Sequence, residues 1–158
     1  MKEHTNFIEL SIKNSNQLLA ETHRYIKWQA PLDIEYMSKD NILKVSCEAM
    51  RVTVRITQII GWLMLQKAIL EGDITREEVL ADNLHILQGK TCLDAESETD
   101  TLLPQRLREL LIKSRELYIQ TMKLEAMSLR APPLPEEIKK RSAQISCLYS
   151  KRNTKDSE

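Results

Sequence analysis

Trp62 stands four residues from both Gln58 and Gln66, and Arg51 and Arg55 continue the same spacing. On a helix that spacing aligns all five side chains along one face. An indole beside two forked guanidinium donors is recognition chemistry: the ring offers apolar area and the forks grip carboxylates or carbonyls. The same residues have an internal use, in which Trp62 packs on a neighbouring helix and the arginines pair with its acids. Arg51, Arg55, Gln58, Trp62 and Gln66 are the candidate partner-binding residues.

No other constellation has the spacing of a reactive centre. His4, His23 and His85 are far apart, no Cys-x-x-Cys occurs, and Gly61, Gly72 and Gly89 stand alone. Zinc-ligand spacing and a phosphate-cradling loop are both missing. Asp94, Glu96, Glu98 and Asp100 alternate like calcium-loop ligands. The loop glycine is absent and Gln105 replaces the bidentate glutamate, so the stretch reads as a solvated loop extended by like charges. Cys47, within a helical segment, reads as a small packed or surface-edge residue. Lys139-Lys140-Arg141 reads as solubilising charge, and Pro132-Pro133-Leu134-Pro135 as a helix-stopping linker. We expect no catalytic residue, no metal and no cofactor, hence a non-enzymatic protein.

The whole chain agrees with an interaction role. Its 158 residues, 42 % hydrophobic and 29 % charged, suit one domain. Three Gly and five Pro favour long helices over turn-rich β architecture. The 23 basic and 23 acidic residues cancel, leaving no field to gather nucleic acid or an anionic membrane. Three Cys do not make a disulfide framework, which fits the cytoplasm. The longest apolar run, Ile59 to Leu65, is far short of the roughly 20 residues that span a bilayer.

Helical period positions the candidates. A first helix runs from about Thr5 to Gln29, striped by Ile8, Ile12, Leu19, Thr22 and Ile26, with Leu18 and Tyr25 beside them; Pro31 ends it. A second runs from about Asp40 to Glu71, capped by Ser38 or Asp40 and stopped by Gly72. Lys44, Glu48, Arg51, Arg55, Gln58 and Gln66 fill about 80° of its arc, and most of the rest is apolar or small. Such a helix should be buried twice, in its own bundle and against a second subunit. Thr75 to Glu78 is a capping box for a short helix. Pro104 opens a last helix to about Arg130, striped by Leu107, Leu110, Ser114, Leu117, Thr121, Leu124 and Ser128. The expected fold is all-α: an antiparallel three-helix bundle over 1–130, with a short extra helix and a flexible C-terminal tail over 131–158, in a homodimer. Ile145, Leu148 and Tyr149 are candidate tail-interaction residues.

The second helix also carries a resemblance. Glu48-Ala49-Met50-Arg51-Val52-Thr53-Val54-Arg55-Ile56-Thr57-Gln58 and then Gly61-Trp62-Leu63-Met64-Leu65-Gln66-Lys67-Ala68 resembles the core signature of the RcdA family, regulators of CtrA degradation, also catalogued as DUF1465. Glu71-Gly72-Asp73, the Thr75 box and Leu103 to Leu110 are similar to the later parts of the family's pattern, and Glu21 to Tyr25 matches its first helix more loosely. Gly61 stands where a small Ser or Ala is common. The resemblance implies a dimeric three-helix bundle with a flexible tail. It implies an adaptor that tethers regulatory cargo proteins to the ClpX unfoldase of ClpXP, primed by a response-regulator-like protein, and so controls cell-cycle proteolysis. Tethering acts through effective concentration. The alternative is a helical dimeric nucleic-acid-binding transcriptional regulator, against which stand the zero net charge and the lack of a basic recognition helix.

Overall fold

A computed structural model of the chain describes residues 2–81 and 89–130. All regular structure among them is helical. α1 (Lys2–Arg24) passes through a π-helical turn (Tyr25–Gln29) into α2 (Ala30–Asp33). α3 (Lys39–Glu71) comes next, then the short α4 (Arg76–Ala81) and α5 (Lys90–Leu93), a 3-10 turn (Glu96–Glu98), and α6 (Gln105–Arg130).

Most boundaries obey local chemistry. Ser38 Oγ accepts from the Asn41 amide at the start of α3. Gly72 ends that helix at φ 82°, a left-handed conformation that glycine adopts without a Cβ clash. Thr75 and Glu78 exchange reciprocal bonds of 2.8 and 3.2 Å ahead of α4. The Pro104 carbonyl accepts from Arg108 as α6 begins.

Pro31 does not end the first helical segment, contrary to expectation. Proline lacks an amide proton, and its ring crowds the carbonyl four residues back. The π turn resolves both problems. The Ala30 amide reaches back to the Tyr25 carbonyl, and Pro31 falls in the first turn of α2, where no donor is required. The buried face of α1 is also rotated from the expected stripe: Ile8, Ser15, Leu18, Thr22 and Tyr25 are buried, while Ile26, inside the π turn, is exposed.

The helix order corrects the expected antiparallel bundle. α1 runs against α3, since Leu18 and Tyr25 join Val45 to Ile56 in one core cluster and Ile8 joins Ile59 to Leu63 in the other. α6 instead runs parallel to α3. Arg55 meets Ser114, Gln58 meets Tyr118 and Gln66 meets Ser128, so both numbers rise together. The cause is segment 89–103, the strap, which carries the chain back along α3. Asp94 meets Arg51 and Asp100 meets Lys44, nearer the start of that helix. α1 and α6 both pack chiefly on α3 and only lightly on each other.

The strap's acids are not a self-repelling solvated run. Asp94 pairs with Arg51 at 3.0 Å, Asp100 with Lys44, and Glu98 with Arg115, whose Nη2 lies 2.8 Å from Oε2. The Glu96 amide and then Arg51 hold the Asp94 carboxyl below the usual carboxylate range. Lys44 and then the Leu102 amide do the same for Asp100. A depressed carboxyl stabilises the fold above its unfolded value, and that contribution is lost as pH falls through the lower folded value. The strap should therefore loosen first in acid. Its hydrogen-exchange protection, corrected for intrinsic rates, is expected to fall below about pH 4, ahead of that of α3 and α6. Coincident loss in strap and helices would contradict this.

Candidate functional site

The polar arc of α3 points into the molecule. The Arg55 side chain is fully buried and faces the strap and α6. Its Nε donates to the Cys92 carbonyl at 2.7 Å and its Nη2 to the Asp94 carbonyl at 2.8 Å. Its Nη1 donates to the Leu111 carbonyl at 3.0 Å and to Ser114 Oγ at 3.2 Å. One guanidinium thus ties α3 to two points of the strap and one turn of α6. Burial, and next the neighbouring Arg51, lower its pKa, yet an arginine keeps its charge in such surroundings. The charge is stabilised by carbonyl dipoles, which arginine's planar fork of donors can engage in several directions at once.

The other candidates lie around it. Trp62 is buried with Ile8, Ile59, Leu63, Cys92 and Tyr118. Gln58 is half-buried, and its Oε1 accepts from Tyr118 Oη at 3.0 Å and from Cys92 Sγ at 3.7 Å. Gln66 Oε1 accepts from Ser128 Oγ at 3.3 Å. Arg51, half-buried, bridges Glu48 and Asp94 at the edge of the strap. The structure therefore brings the five together as an internal seam between helices and strap. As open contact residues, Arg55 and Trp62 are corrected, since both are buried, whereas Arg51, Gln58 and Gln66 are half-buried. The tail residues Ile145, Leu148 and Tyr149 lie outside the described residues.

The surface that is exposed on α3 is its apolar side. Leu43, Met50, Val54 and Met64 are exposed, with Met50 at 68 %. At 100° per residue they fall within about 100° of arc, together with exposed Cys47 and Thr57 and half-buried Gly61 and Ala68. No charged residue lies in that arc between Leu43 and Ala68. The excess apolar arc was legible in the sequence; its orientation was not. Among the described residues no group of three or more His, Cys, Asp or Glu is placed to hold a metal. No described helix is long and apolar enough to cross a membrane.

The seam makes two outcomes testable. Arg55→Lys keeps the charge, but a single ammonium cannot reach strap and α6 together. The loss of stability is expected to be about 3 kcal/mol, with the melting temperature lower by roughly 6–12 °C. A melt unchanged from wild type would show that the fork is dispensable. Tyr118 is pushed up to about 12, first by burial and then by Cys92. A group whose folded pKa is raised stabilises the fold below its unfolded value, near 10, and loses that contribution as pH rises through the folded value. Denaturant titrations should show stability falling between about pH 10 and pH 12, with a shallower fall in Tyr118→Phe.

Residues 5–150 match a family model described as a protein of unknown function, DUF1465. The matched span extends past α6 and takes in Ile145, Leu148 and Tyr149. No curated protein matches the chain, and no solved structure does. With the match covering α3, the strap and α6, the chain belongs to the DUF1465 family.

Proposed function

We propose that this protein is a non-enzymatic adaptor that tethers regulatory proteins to a primed ClpXP protease, and that it works from a homodimer. The observation that carries this reading is the uncharged apolar stripe of α3, left open by its own bundle. From Leu43 to Met64 the stripe is about 31 Å long at 1.5 Å per residue. An open apolar stripe of that length suits contact with another protein. Gly61 and Ala68, without bulk, let a second helix approach closely. The resemblance of α3 to the RcdA signature supplies the proposed partners: ClpX, a response-regulator-like priming protein and cargo regulators.

Two experiments test the two halves separately. Sedimentation of the purified chain is expected to show a two-chain species, and Met50→Glu with Val54→Glu a folded single chain. A single-chain wild type at micromolar concentration would overturn the dimer. For the adaptor role, purified ClpX and the priming protein are passed over the immobilised chain. Retention that raises the degradation rate of a cargo regulator is the expected outcome. Failure to retain ClpX, with the priming protein present, would sink the adaptor reading. Arg51→Glu is expected to weaken the strap's hold, while Met50→Glu leaves the seam intact, so the pair distinguishes seam damage from loss of a contact surface.

A further inference from the structure

The open stripe of α3 has a pattern of sizes as well as of polarity. From Leu43 to Ala68 it advances in alternate steps of four and three, the spacing of a seam between two helices in a left-handed pair. Bulky side chains stand at Leu43, Met50 and Met64, and slight ones at Cys47, Gly61 and Ala68. Val54 and Thr57, of similar size, occupy the middle. All eight positions are exposed or half-buried. The stripe lies on the far side of α3 from buried Val52, Ile56 and Ile59, so α1, the strap and α6 leave it open.

The stripe is complementary to itself in one direction only. In an antiparallel pair centred between residues 55 and 56, Leu43 lies level with Ala68 of the second copy, Met50 with Gly61, Met64 with Cys47, and Val54 with Thr57. Each layer then holds a similar volume, and the two backbones can run at one separation. In a parallel pair like meets like. Met50 on Met50 forces the helices apart, while Gly61 on Gly61 leaves a void, and both crowding and voids are costly. Sliding the antiparallel pair by seven residues leaves either Met64 and Ala68 or Leu43 and Cys47 without a partner. An arc of about 100° over about 38 Å of helix covers on the order of 500 Å² of each copy. Two copies therefore hide about 1,000 Å², the area at which an interface becomes specific.

We infer that two copies of this chain pair their α3 helices antiparallel, with Met50 of each copy on Gly61 of the other and Leu43 on Ala68. This deepens the homodimer proposed above and rests on it. Cys47 reports the direction, because it is exposed on the stripe. In the antiparallel pair it lies level with Met64 of the second copy and about 25 Å from the second Cys47, whereas a parallel pair sets the two thiols side by side. The full chain carrying Cys147→Ser, with and without Met64→Cys, is treated with a short bismaleimide. Met64→Cys is expected to raise the yield of covalent dimer at least about tenfold, with the link mapped between positions 47 and 64. Those positions are about 25 Å apart within one helix, so the link can only join two copies. Cys47 linked to Cys47 would overturn the antiparallel register, as would no link in Met64→Cys while sedimentation still shows two chains. A single chain in sedimentation would instead remove the homodimer itself. Packing is tested separately: Gly61→Leu should weaken association roughly tenfold by crowding Met50 of the second copy, and adding Met50→Ala should restore it. Failure of the second change to restore association would sink the pairing of those two positions.

Discussion

Irregular backbone buried against a helix needs hydrogen-bond donors, and in this protein one side chain supplies them. The strap has too little regular structure to satisfy its own carbonyls, and an unpaired buried carbonyl is costly. Arg55 answers two of them, at Cys92 and Asp94, and ties the same charge to α6 through Leu111 and Ser114. Without the strap held in place, α6 would have no reason to start at the α2 end of the bundle. The parallel pairing of α3 and α6 therefore depends on a guanidinium that faces carbonyls and a hydroxyl in place of a carboxylate.

Much of this was legible in the residues. Ser38, Gly72, the Thr75–Glu78 box and Pro104 each mark a boundary by a local bond or conformation, which sequence records directly. Thr22, Ser114 and Thr121 fall on core stripes by helical period and are buried there. Their hydroxyls bond carbonyls three or four residues back in their own helix, so burial leaves them satisfied. The orientation of α3 was not legible. Hydropathy sends a stripe of Arg, Glu and Gln outward, because it has no knowledge of what a distant segment needs. The acids of the strap were the missing signal: Asp94 and Asp100 match Arg51 and Lys44 in reverse order along α3, which is the pattern of a chain returning along that helix.

That inversion explains why one helix presents two different surfaces. The seam side meets backbone carbonyls, two serine hydroxyls and a phenol, so most of its polar groups are engaged. The opposite side keeps Leu43, Met50, Val54 and Met64 in solvent. A substitution on the first side acts through stability, whereas one on the second leaves those contacts in place. Confusing the two would assign a binding defect to a protein that had lost its strap.

The parallel course of α3 and α6 also has a kinetic consequence. α1 and α3 are joined by a short link and can pair through nearby chain. The contacts that seat α6 join residues 56 to 62 apart. Closing so long a loop costs entropy before those contacts form, and topologies rich in distant contacts fold more slowly than simple hairpins of helices. The helical pair is thus the natural first structure, and docking of the strap and α6 is the late event. During that interval the future core face of α3, with Arg55 unsatisfied, is open to whatever else the cell brings to it.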